Sequence, residues 1–96
     1  MVDKVFLVLE DYYSSVDSSY DYGSNIIAVC KSLESAKEFI HNKATSSLED
    51  VKIEHNSDNL RTIYDENGKV SKALYQASGS DSYGDSIFYV EERELI

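Results

Sequence analysis

The chain of 96 residues contains one cysteine, four glycines and no proline. A disulfide needs two cysteines, so Cys30 excludes an internal disulfide, and a lone thiol is typical of a reducing compartment. The glycines form neither Gly-x-Gly-x-x-Gly nor Gly-x-x-x-x-Gly-Lys, the loops that bind dinucleotide and nucleotide phosphates. We therefore expect no cofactor.

Basic residues are also scarce. Nine Lys and Arg stand against eighteen Asp and Glu, which gives a formal net charge of −9. Phosphates attract the opposite sign of charge, so we expect no direct binding to DNA or RNA and none to an anionic membrane surface. A negative protein can instead be steered toward a basic surface on a partner.

Long apolar runs are missing. The first run, Val5–Leu9, ends at Glu10, and no stretch approaches the roughly 20 apolar residues of a membrane helix or resembles a secretory signal. The length fits one domain, residues 1–96. We expect a protein of the cytoplasm.

Hydrophobic periodicity predicts the secondary structure. Strand 2–10 is apolar on both faces, which indicates a central strand covered on both sides. The other predicted strands span 25–30, 51–53 (a short edge strand), 60–64, 70–77 and 86–94.

One helix and one hairpin turn complete the predicted elements. The helix spans Leu33–Ala44, with Ser32 as its N-cap, and ends at Thr45–Ser47. The dipeptide Asn67-Gly68 predicts a hairpin. The fold class that follows is α+β: a mainly antiparallel sheet of about five strands, with one amphipathic helix packed on a face.

Two stretches, residues 11–24 and 78–86, consist mostly of Tyr, Ser, Asp and Gly. They hold five of the eight tyrosines and three of the four glycines. They fall between predicted strands, so we expect loops, which would form one surface if they share an edge of the sheet. Tyrosine provides rigid contact area, and Ser and Gly provide adaptable hydrogen bonds. Neighbouring acids, among them Asp11, would select a basic partner.

The predicted partner-binding residues are Tyr12, Tyr13, Asp17, Tyr20, Asp21, Tyr22, Asp81, Tyr83 and Asp85. In the alternative interpretation, the tyrosines fold back to cap the sheet while Ser and Asp make ordinary turns.

Catalytic and metal-binding patterns are not evident. Cys30 lies in an apolar strand, which favours core packing, while His41 lies on the helix flank and His55 in a polar turn. The loop acids at 17, 21, 81 and 85 could bind calcium, but they match no EF-hand and are typical of solvated turns. We predict no catalytic residue and no metal.

The order of elements resembles a group of small, mostly uncharacterised acidic phage and prophage proteins. The resemblance rests on the runs 4–8, 25–32, 34–40 and 88–95, which follow one another as strand, strand, helix and aromatic acidic strand. These residues form the fold, so no functional residue carries over. The resemblance implies an inhibitor of a host nucleic-acid-handling or defence complex in the host cytoplasm. Such a protein would be comparable to an anti-CRISPR protein and could act by DNA mimicry.

Three hypotheses follow for function. The first is a non-enzymatic binding protein that docks through the Tyr/Asp loops on a basic surface of a host protein. The alternative is a structural or self-assembling homodimer, in which the two-faced run Val5–Leu9 lies in a buried interface. An enzyme or small-ligand binder is a third class, but no catalytic constellation recommends it.

Overall fold

The computed structural model describes residues 3–14, 21–64, 66–82 and 84–95. Its elements are β1 (Asp3–Ser14), β2 (Asp21–Cys30), α1 (Leu33–Ser47), β3 (Glu49–Glu54), β4 (Thr62–Tyr64), β5 (Val70–Lys72), β6 (Gln76–Ser80) and β7 (Gly84–Leu95). No helix in these ranges is long and apolar enough to cross a membrane.

Five of the described strands form one sheet in the order β2-β1-β7-β6-β3. Every neighbouring pair is antiparallel. Helix α1 packs on the sheet, so the expected α+β class is confirmed. The long central pair is β1 and β7, in register from Asp3 opposite Leu95 to Ser14 opposite Gly84.

Helix α1 begins where the sequence predicts and ends three residues later. The Ser32 hydroxyl caps it by accepting a hydrogen bond from the Ser35 amide at 3.1 Å. The run Thr45–Ser47, predicted to end the helix, forms its last residues, and the helix ends at Ser47. The Thr45 hydroxyl donates to the His41 carbonyl at 2.7 Å, and the Ser46 hydroxyl donates to the Lys43 carbonyl, so these side chains bond back onto the helix that they extend.

The core lies between the helix and one face of the sheet. Its members are Val8, Ala36, Ile40, Ala44, Tyr75, Ala77, Phe88 and Val90, with Cys30 packed at its border. The alanines on both sides let the helix backbone approach the sheet closely, while Phe88 and Ile40 fill the space between them.

The first Tyr/Ser/Asp stretch is mostly strand, which corrects the expected loop. Strand β1 runs on to Ser14 and β2 starts at Asp21, with Tyr13 opposite Tyr22 in register. Tyrosine has a high β-propensity, and β1 also pairs with β7 along this length, so the backbone stays extended.

A β-bulge changes which side chains of β2 share a face. The register shifts between Val8 and Leu9 because Ile27 is an extra residue on β2. Ile26, opposite Leu9, and Val29, opposite Leu7, consequently lie on the same face, the one turned away from α1. We call this face the open face. Without the bulge, the alternation of a regular strand would have placed Ile26 and Val29 on opposite faces.

In the second half of the chain, the strand boundaries differ from the predicted ones. The Asn67-Gly68 hairpin is confirmed, with Tyr64 opposite Val70, but β4 and β5 form a separate two-stranded sheet. The predicted strand 70–77 is divided, because the chain leaves the hairpin at Ala73 and joins β7 through backbone hydrogen bonds of Leu74 and Tyr75 to Val90. The edge strand predicted at 51–53 is β3.

Candidate docking surface

The two Tyr/Ser/Asp stretches meet at one end of the sheet. Ser14 of β1 lies opposite Asp21 on one side and opposite Gly84 on the other. Ser80 of β6 lies opposite Asp85. The β1–β2 and β6–β7 connections therefore leave the sheet in the same direction, because all four strands are antiparallel neighbours.

Strand β3 brings two further acids to this end, which the sequence analysis missed. Glu49 lies opposite Ser80, and Asp50 follows it; both are exposed. We call the end of the sheet that carries Asp21, Glu49, Asp50, Asp81 and Asp85 the acidic end. The signal in the sequence was weak, since Glu49-Asp50 simply follows a helix and only the strand register places it beside Ser80.

The C-terminus of α1 points the same way. The helix ends at Ser47, its cap is Leu48, and no basic residue lies in its last turn. The carbonyl end of a helix carries a partial negative charge. There is also no Lys or Arg in residues 11–24, 45–51 or 78–86. The local field at this end is consequently negative.

A close backbone approach holds β3 in place. A Cβ atom on Gly79 would lie 2.8 Å from the Glu49 carbonyl oxygen and 3.1 Å from Leu48 Cβ, so only glycine fits there without a shift. Asp50 next to this contact has a φ of 51°, in the left-handed region. Aspartate tolerates that conformation better than most residues, which fits its position here.

The β6–β7 turn is fixed by its own hydrogen bonds. The Asp81 carboxylate accepts a bond from the Gly84 amide at 2.9 Å, and the Asp81 amide donates to the Gly84 carbonyl at 2.9 Å. Exposed Asp81 and Asp85 are thus presented on a short, bonded turn rather than on a long loop.

The predicted docking residues have different places in this arrangement. Tyr12 is half-buried, and Tyr13, on the open face, is 40% exposed. The backbones of Asp21 and Tyr22 lie at the start of β2. Asp17, Tyr20 and Tyr83 lie outside the described residues.

Asp11 is not a docking acid, which corrects its expected role. It is only 1% exposed and forms an ion pair with the Arg61 guanidinium. The Tyr89 hydroxyl donates to its Oδ1 at 3.4 Å. This buried pair attaches the segment around Arg61 to the open face, where the Arg61 amide also donates to Gln76 Oε1 at 2.8 Å.

A shallow cleft of about 480 Å³ borders this ion pair. Its lining includes Asn59, Arg61, Thr62, Gln76 and Ile87. The Gln76 side chain donates to the Asn59 carbonyl as well as accepting from Arg61. The polar groups of the cleft are therefore occupied with holding two parts of the chain together.

Away from the acidic end, several acids pair with bases. Lys4 lies 3.5 Å from Glu92, Lys52 lies 3.1 Å from Glu54, and Arg93 contacts Glu91. The Lys52 ammonium and then the Ser57 hydroxyl hold the pKa of Glu54 below its ordinary value. These carboxylates contact cationic side chains of the same protein.

The open face is covered unevenly. Buried Leu60 and Ala73 lie in the segment that Arg61 attaches. On β2, however, Ile26 is 59% exposed and Val29 is 64% exposed, next to half-buried Leu7 and Leu9. The expectation that β1 is covered on both faces is thus correct for the helix side and only partly correct for the open face.

The remaining reactive side chains are apart from one another. Cys30 packs at the border of the core, His41 is exposed on α1, and His55 stacks on Tyr75 with ring centroids 6.4 Å apart. Burial raises the pKa of the Tyr75 hydroxyl. Within the described ranges, no three His, Cys, Asp or Glu side chains are grouped so that they could hold a metal ion.

Comparisons of the chain with protein-family models, with curated proteins and with solved structures found no match.

Proposed function

We propose that the protein is a non-enzymatic binding protein whose acidic end docks on a Lys/Arg-rich surface of another protein. The observation that carries the proposal is the register that brings Ser14, Asp21, Ser80, Gly84 and Glu49 to one end of the sheet. Five strand ends spaced by about 4.8 Å make a patch about 19 Å across, large enough to contact a protein surface.

The chemistry of the patch supports a basic partner. Exposed Glu49, Asp50, Asp81 and Asp85 provide negative charge, and the helix C-terminus adds to it. Charge of one sign raises the rate of encounter with a surface of the other sign and rejects surfaces of the same sign. Exposed Tyr13 adds contact area at low entropic cost.

The partner class that fits is a protein that handles nucleic acid. A surface that accepts the phosphates of DNA or RNA also accepts a row of carboxylates held at fixed positions. The resemblance to small acidic phage proteins supports the role of an inhibitor that occupies such a surface in a host or defence complex.

The test compares two variants that remove the same amount of charge. Glu49→Gln/Asp81→Asn/Asp85→Asn changes the acidic end, and Asn at position 81 still accepts the bond from the Gly84 amide. Glu38→Gln/Glu66→Gln/Glu94→Gln removes three exposed acids elsewhere. We expect the first variant to bind proteins captured from a bacterial lysate about tenfold more weakly, and the second to bind as the wild type does.

Further experiments test the tyrosines and test whether the partner binds nucleic acid. Replacing Tyr20, Asp21 and Tyr22 together should also weaken capture while the circular dichroism spectrum stays native. Capture should fall with added salt, and duplex DNA should displace the captured protein. Equal loss in both charge variants would mean that only net charge matters, and unchanged capture in the first variant would refute the docking surface. Failure of DNA to displace the partner would refute the nucleic-acid class alone.

A further inference from the structure

The turn of the β4–β5 hairpin carries the dipeptide Asn67-Gly68, which has no part in the proposed docking surface. Both residues are exposed. Gly68 has a φ of 81°, in the left-handed region, and a Cβ atom placed on it would meet no atom within 4 Å apart from its chain neighbours. The dipeptide therefore lies at a tight turn that is open to water.

An asparagine followed by glycine contains both an electrophile and a nucleophile. Once hydroxide has removed the proton of the Gly68 amide, its nitrogen can attack Cγ of Asn67, because glycine has no Cβ to obstruct the approach. The Cγ–Nδ2 bond breaks, the departing nitrogen takes a proton from water and leaves as ammonia, and a succinimide ring remains. A water molecule then opens the ring at either carbonyl and gives aspartate or isoaspartate. Overall, one water is consumed, one ammonia is released, and nothing is oxidised or reduced.

The hairpin is held loosely enough for the two groups to reach each other. Its strands form a separate sheet of three residue pairs, in which Tyr64 is 69% exposed and Val70, opposite it, is 57% exposed. A two-stranded hairpin is marginally stable on its own in water, and weakly packed elements open locally while the rest of the fold stays intact. Opening breaks the hydrogen bonds of the turn and allows the backbone around Asn67 to adopt the geometry of attack.

The other four asparagines lack this arrangement. They are exposed too, so exposure does not distinguish them. Asn42 lies within α1, and the amide and carbonyl of Asn59 are both hydrogen-bonded. Each of the four is followed by a residue whose side chain obstructs the attack, and these dipeptides are Asn25-Ile26, Asn42-Lys43, Asn56-Ser57 and Asn59-Leu60.

We propose that Asn67 is a site of spontaneous deamidation, at which the opened hairpin reacts with water to give aspartate or isoaspartate. The product places a new negative charge next to Glu66, which lines the cleft between the hairpin and residues 91–94 of β7. Isoaspartate also adds a methylene to the main chain of the turn, which disturbs the pairing of Tyr64 with Val70. The modification thus loosens the hairpin. It does not rest on the proposed function, since residues 91–94 lie at the end of β7 opposite to the acidic end.

Incubation of the whole protein at neutral to mildly alkaline pH tests the site. Tryptic cleavage after Arg61 and Lys69 yields a peptide, residues 62–69, whose only asparagine is Asn67. Mass spectrometry should show that this peptide converts into an aspartate and an isoaspartate form, at a rate proportional to the hydroxide concentration. The peptides with the other asparagines should be unchanged when half of peptide 62–69 has converted. An unmodified Asn67, or equal conversion of another asparagine, would refute the proposal.

Gly68→Ala distinguishes the chemistry from the opening of the turn. Alanine at a φ of 81° is strained, so this variant should open its hairpin more often than the wild type. Its methyl group nevertheless obstructs the attack on Asn67. We expect conversion to be lost over the period in which half of the wild type converts. Faster conversion than in the wild type would show that the Gly68 amide is not the nucleophile.

Lys72→Met tests the opened hairpin as the reacting state. The Lys72 ammonium donates to the Leu60 carbonyl and to the Thr62 hydroxyl at the base of the hairpin, both at 3.1 Å. Methionine keeps the length of the side chain and removes both bonds, so the hairpin should open more often and Asn67 should convert about fivefold faster. Conversion at the wild-type rate would contradict a reaction that proceeds through opening.

Discussion

Two groups of acids in this protein have different surroundings. At the acidic end of the sheet, exposed Glu49, Asp50, Asp81 and Asp85 are held side by side by strand register, and neither Tyr/Ser/Asp stretch contains a Lys or Arg. Elsewhere, Asp11, Glu54, Glu91 and Glu92 each contact a cationic side chain. The negative charge that gives the formal net charge of −9 is therefore unevenly distributed over the surface.

The difference separates carboxylates that contact a cationic side chain from carboxylates that lie exposed beside one another. A buried acid beside an arginine stabilises the fold only while the arginine is present. Exposed acids grouped on one edge repel one another, although Asp81 also accepts the turn bond from the Gly84 amide. Substitutions at Arg61, Lys4 and Glu54 test this division by stability, and Gly79→Ala tests how β3 is held at the acidic end.

The largest effect is expected for Arg61→Ala. This change leaves the Asp11 carboxylate buried without its cation, so it should lower the free energy of unfolding by about 3 kcal/mol. This value is at the lower end for buried ion pairs because the Arg61 side chain is itself one-third exposed. Denaturant titration measures the loss. Asp11→Asn in the same background should recover part of it.

The matched control is Lys4→Ala, which breaks the exposed pair with Glu92. Both side chains of that pair are about half exposed, so we expect a change within about 0.5 kcal/mol. Similar losses in the Arg61 and Lys4 variants would contradict the structural role assigned to Asp11.

A smaller effect is expected for Gly79→Ala at the acidic end. The added methyl group would meet the Glu49 carbonyl oxygen and Leu48, and relieving that overlap should cost about 1–3 kcal/mol in thermal or denaturant unfolding. Ser78→Ala, one residue earlier on the same strand, is the control and should change stability by less than about 0.5 kcal/mol. A neutral Gly79→Ala would mean that β3 is not held against β6 at this point.

The smallest effect concerns the pH dependence of stability at Glu54. Its pKa in the folded protein is lowered, chiefly by Lys52, so Glu54 contributes stability that is present above its ordinary value of 4.5 and lost as the pH falls through the folded pKa. Glu54→Gln should therefore lower the stability at neutral pH, leave the stability at strongly acidic pH nearly unchanged, and flatten the slope between them. An unchanged slope would show that the Lys52 contact does not bias this carboxylate.

Local elements were predictable because their signals are local. Ser32 caps α1, the spacing of Ala36, Ile40 and Ala44 marks its buried face, and Asn67-Gly68 makes the turn of β4 and β5. Strand ends were less predictable. Residues 11–14 and 21–24 have a turn-like composition. They are nevertheless strand, because residues 11–14 pair with β7 on one side and with residues 21–24 on the other.

The acidic end could be predicted only in part. The Tyr/Ser/Asp composition indicates Asp81 and Asp85, but nothing near Glu49 in the sequence connects it with Ser80, since that pairing spans the whole β4–β5 region. Asp11 belongs to the same Tyr/Ser/Asp stretch as the predicted docking residues, but its carboxylate is buried instead of exposed. It lies next to Arg61, a contact across fifty residues that no local pattern encodes.

By itself, the sequence determined the α+β class, the helix, most of the strands and the negative charge, because periodicity, capping and turn residues act over a few positions. Only the tertiary structure decided the strand order β2-β1-β7-β6-β3, which gathers one set of acids at one end, pairs another set with bases and leaves β2 as an uncharged edge. Strand register is a long-range property, set by how the helix and sheet pack together, and a shift of one residue moves every side chain to the opposite face.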